Sequence, residues 1–178
     1  MRESSASALG GVLAALSVSI MLLTYISPLM VYAAPAFAGL FILVIQYEAG
    51  RGWALGEYAA VGLLSLFLIA DKEAAVFYLT LFGLYPIVRD VIETHIKPFV
   101  LRLLLKLIVV NCSMVLSFLL CLYVLGVSYE DLLEHGWIYV AVFILMMDVM
   151  LLVYDFLLGR LQLLYVNRLS RRVRRLFK

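Results

Sequence analysis

FILMMDVMLLVYDF, residues 143–156, is a run of hydrophobic residues broken at two positions, Asp148 and Asp155. An ionised carboxylate at the centre of a membrane-spanning helix costs about 2.5–3.5 kcal/mol even on insertion scales. Seven residues separate the two acids, close to two turns of α-helix, so both lie on one face. Such a stripe belongs against other helices or against water, not against lipid. The stretch therefore predicts one helix of a bundle whose solvent is lipid.

The rest of the chain agrees. Its 178 residues are 66% hydrophobic with a mean hydropathy of +1.08, whereas apolar residues make up roughly half of a soluble domain. The expected fold is a single all-α integral membrane domain, residues 1–178. Six segments approach the roughly 20 apolar residues a crossing needs: about 6–25, 29–47, 53–70, 74–92, 98–126 and 137–160, with a basic amphipathic tail over 161–178. Breakers or charges separate them, among them Ser27-Pro28, Glu48 to Gly52 and Asp71-Lys72-Glu73. The first segment lacks a small-residue cleavage site and reads as a retained helix.

Lysine and arginine set the direction. With the N-terminus inside, Arg2, Arg51, Arg89, Lys97 and the arginine-rich tail all fall on the cytoplasmic side, and of the 14 basic residues only Lys72 falls outside. Asp71, Glu73, Glu130, Asp131 and Glu134 collect on the external side. A multi-pass protein of the cell membrane with both termini cytoplasmic is expected. In the tail, Arg168, Arg171, Arg172, Arg174 and Arg175 alternate with Leu169, Val173, Leu176 and Phe177. That pattern reads as an anchor on anionic lipid, with a cytoplasmic docking surface as the other reading. No nucleic-acid recognition module accompanies it, and no such partner is expected.

Depth follows from counting residues inward at about 1.5 Å each. Asp155, Arg102, Lys106 and Glu57 then form one layer of mixed charge near the cytoplasmic ends. Asp155 is expected to pair with Arg102 or Lys106, fixing the register of the last two helices. Asp148 lies near the midplane, where Asn111 is the polar residue at matching depth. Two readings stand: a neutral Asp148 that joins two helices, or the floor of a ligand or proton site. Tyr78, Thr80 and Tyr139 add polar groups toward the external half, where an outward pocket would need apolar walls and a few polar contacts. The candidate ligand-binding set is thus Tyr78, Thr80, Asn111, Tyr139 and Asp148, with an interfacial aromatic belt as the plainer explanation of the tyrosines. Pro86 removes the hydrogen bond to the Phe82 carbonyl, and with Gly83 beside it a kink is expected.

There is no HExxH, no GxSxG and no Walker sequence. His95 and His135 fall in loops on opposite sides, and Cys112 and Cys121 are nine residues apart with no CxxC. No enzyme activity, cofactor or metal site is expected.

The first segment opens SSASALGGVLAALSVS. Ala6, Gly10 and Ala14 form one i, i+4 row, and Ser7, Gly11, Ala15 and Ser19 the row beside it. Gly52, Gly56 and Ala60 repeat the idea more weakly. Rows without bulk let another backbone approach closely, inside the bundle or outside it. In size, helix number, termini and this strip, the chain resembles the substrate-binding S component of an energy-coupling factor transporter. The resemblance implies a small-molecule, vitamin-like ligand, and a membrane-embedded T component docked on helix one with two cytoplasmic ATPases behind it. The matching docking positions are Gly10 with Ala14, or Gly11 with Ala15, glycine standing where the family has alanine. The alternative is a non-transporting scaffold, similar to the MreD family of cell-shape proteins, which should keep its interior dry and use its surface.

Overall fold

A computed structural model describes residues 3–126 and 137–169. Helix makes up 89% of it, with no strand among the described residues. The six described helices are α1 (Glu3–Met21, extended by a 3-10 turn over Leu22–Tyr25), α2 (Met30–Ala49), α3 (Arg51–Leu68), α4 (Lys72–His95), α5 (Phe99–Tyr123) and α6 (Trp137–Leu164, continued by a π turn over Tyr165–Leu169). Four stretches, Glu3–Tyr25, Met30–Ala49, Lys72–His95 and Phe99–Tyr123, are long and apolar enough to cross a membrane. These are the helices of a multi-pass membrane protein. α3, with Arg51 and Glu57 in its length, and α6 are outside that group of four.

Expected and observed helices agree to within four residues at their ends. Where α3 begins early and α4 overruns at both ends, the cause is the same. Arg51, Lys72 and Glu93 sit in terminal turns, so hydropathy falls before the helix does. Gly50 shows how tight a connection can be. It ends α2 and begins α3 at once, at φ 93°, a backbone state that glycine takes without steric cost. Nine residues of the tail, 170–178, lie outside the described residues.

Alternate helices run in opposite directions, so the start of α1, Gly50, the α4–α5 connection and the end of α6 share one end, here called the basic end. Two apolar clusters fill the bundle. One joins α1, α2 and α3 through Leu9, Leu13, Met21, Ile42, Ile45 and Val61. The other joins α2, α4, α5 and α6 through Leu43, Phe77, Phe82, Val110, Leu151 and Leu158. α4 is the central element, with 72% of its apolar window buried against 33% for α1 and α2 and 11% for α5.

α4 is not a regular helix. Tyr78–Phe82 form a π turn, closed by the Gly83 amide donating to the Tyr78 carbonyl at 2.8 Å. Three residues on, Pro86 opens the regular helix that runs to His95. The Phe82 carbonyl, which Pro86 cannot serve, accepts instead from the Tyr154 hydroxyl of α6 at 3.3 Å. A carbonyl freed in an apolar setting needs such a partner. From the other side Gly39 of α2 packs directly on this joint: a Cβ there would overlap both the Phe82 oxygen and the Tyr154 hydroxyl.

Gly39→Ala should therefore destabilise the protein by about 1–3 kcal/mol, the usual range for overfilling a tight contact. Gly11→Ala, whose added carbon meets nothing within 4 Å, should leave stability unchanged. Thermal unfolding of both variants in detergent checks this; a Gly39→Ala protein as stable as the parent would contradict the joint.

Candidate functional site

α5 touches the bundle along one narrow stripe. Its buried residues are Lys106, Val110, Ser113, Ser117 and Cys121, spaced by four, three, four and four, as a helix face requires. Lys106 and Ser117 find their bonds within the bundle.

At the basic end the stripe begins with Lys106. Its Nζ donates to both oxygens of Asp155, at 2.9 and 2.8 Å, and to Glu93 at 2.8 Å. Arg89 of α4 completes the group, with Nε on Asp155 Oδ1 at 2.8 Å and Nη2 on Glu93 at 3.0 Å. Tyr85 donates its hydroxyl to Asp155 at 2.9 Å, and Arg89 donates to the Gln162 side chain at 3.2 Å. Two cations face two carboxylates, so the cluster is neutral. The Arg89 and Lys106 side chains are 9% and 10% exposed, those of Asp155 and Glu93 23% and 31%. Asp155 Oδ1 accepts from Tyr85, Arg89 and Lys106 together, which leaves little capacity for taking a proton from a substrate. The arrangement is a clamp on α4, α5 and α6.

Of the expected pair, the structure brings Asp155 to Lys106 and not to Arg102. Arg102 lies one turn nearer the basic end, and its buried Nε has no partner. Arg89 takes its place. Glu57 also stands apart from the charge layer expected for it, buried on α3 with neither carboxyl oxygen hydrogen-bonded.

The remaining candidates sit at three separate helix contacts. Asn111 donates its amide to Asp148 at 3.0 Å, joining α5 to α6, and to its own Leu107 carbonyl at 3.0 Å. Thr80 and Ser117 share a hydrogen bond of 2.5 Å between α4 and α5; one hydroxyl donates to the other, and the accepting one donates its own proton to a carbonyl of its own helix, Val76 or Ser113, both of which lie within reach. Tyr78 is wholly buried and stacks on Tyr58 of α3, ring centroids 6.1 Å apart. The Tyr139 side chain lies outside the described residues. Ligand-binding residues inferred together are thus distributed along α4–α3, α4–α5 and α5–α6.

Cavities lie elsewhere. One of about 570 Å³ opens beside the charge cluster, lined by Arg89, Asp155, Phe156, Gly159, Arg160 and Gln162 among others. An apolar one of about 180 Å³ lies between α2 and α6, against Phe37, Leu40, Met150 and Tyr154. Tyr78, Thr80, Asn111 and Asp148 line neither of them.

On α1 the two small-residue rows part company. Ala6 is buried, Gly10 faces Ile45 of α2, and Ala14 packs on the first apolar cluster. Ser7, Gly11, Ala15 and Ser19 are exposed, and a carbon added at Gly11 meets nothing within 4 Å. The same holds at Gly52 and Gly56 on α3.

Sequence reasoning missed Arg89, Glu93, Tyr85 and Gln162. The signal for the first two was present. They are four residues apart on one helix face and, counted from the end of α4, lie in the same layer as Lys106. At the surface of the basic end Arg51 pairs with Asp90 at 2.7 Å, and buried within that end Tyr165 donates to Glu48 at 3.0 Å. Among the described residues no group of three or more His, Cys, Asp and Glu comes together as a metal site would require. Comparison of the chain with protein-family models, with curated proteins and with solved structures finds no match.

Proposed function

We propose that this chain crosses the cell membrane six times, with both termini cytoplasmic, and serves a larger membrane assembly as a non-catalytic subunit that docks partner helices on α1. The observation that carries the reading is the exposed row of Ser7, Gly11, Ala15 and Ser19. Small residues on a lipid-facing surface give up side-chain contact with lipid and gain close approach of a partner backbone. The inner row is already occupied by α2, so docking falls to Gly11 and Ala15 rather than Gly10 and Ala14.

Two forms of this reading remain in play, each with its own support. A non-transporting scaffold fits the interior, where Tyr78, Thr80 and Asp148 are taken up in helix packing and helix–helix bonds. A substrate-binding uptake subunit fits α1, whose exposed pair Gly11 and Ala15 corresponds to the docking row of energy-coupling factor S components. We favour the scaffold form, because among the described residues Tyr78, Thr80, Asn111 and Asp148 meet neighbouring helices and line neither of the two cavities above.

Orientation is tested by single cysteines at Glu73 and Arg51 in a background lacking Cys112 and Cys121. An impermeant thiol reagent added outside intact cells should label the first and spare the second; the reverse would overturn the assignment. The docking face is tested by Gly11→Leu combined with Ala15→Leu. This protein should express and melt like the parent yet fail to co-purify with the membrane partners the parent retains. Loss of folding, or unchanged partner recovery, would remove α1 as the docking face. Mass spectrometry of small molecules released from the denatured parent separates the two forms: a stoichiometric ligand favours uptake.

A further inference from the structure

α3 sends one acidic side chain into the bundle. Glu57 shares a stripe with Ala54, three residues before it, and Val61, four after, and is 5% exposed. Those two neighbours belong to the apolar cluster that contains Leu9 and Leu13 of α1 and Ile42 and Ile45 of α2. Both carboxyl oxygens of Glu57 are buried, and neither has a hydrogen-bond partner. Among the described residues no ion pair involves it.

Tyr78 approaches from α4. Its ring lies over Gly83, five residues toward the basic end, where an added Cβ would come within 2.8 Å of Cζ. The ring is thus aimed from the outer half of α4 toward the basic end, and it stacks on Tyr58, the residue after Glu57 on α3, with ring centroids 6.1 Å apart. The Tyr78 hydroxyl is buried and unpartnered as well. The neighbouring phenol is not available to either group, because Tyr58 donates its hydroxyl to the Leu79 carbonyl at 2.6 Å. The cations Arg89 and Lys106 are committed to Asp155 and Glu93. Three buried oxygens therefore stand without a hydrogen-bond partner among the described residues.

A buried carboxylate with no counter-charge neutralises by binding a proton. A neutral carboxyl and a phenol can then serve one another, either as donor, after a side-chain rotation. A hard divalent cation would need about six oxygen ligands or more, twice what stands here. We propose that Glu57 is a proton-binding site inside the bundle, with Tyr78 as hydrogen-bond partner of the protonated carboxyl. On release the Glu57 O–H bond breaks, water takes the proton, and a carboxylate stays behind. This site is independent of the docking face on α1.

Infrared spectroscopy of the full chain in lipid nanodiscs at neutral pH tests it. The parent should show the carbonyl band of a protonated carboxyl group, and Glu57→Gln should lack it. Tyr78→Phe should keep the band at a shifted frequency, since one hydrogen bond is gone. Should Glu57→Gln fail to fold, isotope-labelled glutamate in the parent must move the band, because Asp148 and Asp155 would not respond. No protonated-carboxyl band in the parent, a band unchanged in Glu57→Gln, or one unmoved by glutamate labelling overturns the proposal. A band abolished by sodium or potassium at constant pH assigns the site to a metal ion and equally overturns it. An unshifted band in Tyr78→Phe removes Tyr78 as the partner.

Discussion

Apolar side chains gain little by leaving lipid for a protein interior that is equally apolar. A helix in such a setting is held by close packing and by polar contacts. α5 shows this most clearly. It is the least buried of the four candidate spans, and its inward stripe offers Lys106, Ser113 and Ser117 where a soluble protein would place leucine. The contact of Lys106 with Asp155 is the one on which this half of the bundle depends, because it ties α5 to α6 while Arg89 and Glu93 carry the same group into α4. Burying charge is expensive, and a pair alone often fails to recover the cost; extra hydrogen bonds on the remaining lone pairs change that balance. Tyr85 and Gln162 supply such bonds. The cluster also fixes register, since a one-residue slide of α5 would turn Lys106 away from both carboxylates.

The meeting of α2, α4 and α6 is organised by a carbonyl. Pro86 deprives the Phe82 oxygen of its helical donor, and the π turn before it swings that oxygen toward α6, where Tyr154 meets it. Gly39 lets α2 come against the same point. A defect in one helix thus becomes the meeting place of three. The same π turn lies beside Tyr78, whose ring runs along the helix over Gly83. Irregular turns of this kind in otherwise regular helices often accompany function, and here the irregularity begins at Tyr78, the partner proposed for Glu57.

Much of this was legible in the residues. Helix number, approximate bounds and the Asp155–Lys106 and Asp148–Asn111 contacts follow from hydropathy and from counting depth along neighbouring antiparallel helices. Arg89 escaped because a lone arginine near a helix end reads as an anchor that reaches the surface; its inward turn depends on Asp155, 66 residues away. Tyr78 was read as the wall of an external pocket because depth was counted from its backbone, whereas its ring points toward the basic end. The two rows on α1 were visible as rows, but which one is open depends on Ile45 of α2, a contact that periodicity within α1 cannot reveal.

The central claim is that Lys106 and Asp155 act as one unit. A double-mutant cycle measures this directly: Lys106→Met, Asp155→Leu and the combination, each unfolded reversibly in the same detergent. Each single change strands a charge, while the double change removes both, so the losses should fall short of adding by about 1 kcal/mol or more, within the range for residues in one network. Losses that add to within about 0.5 kcal/mol would mean the two residues are independent, and the clamp on which this account of the bundle rests would be wrong.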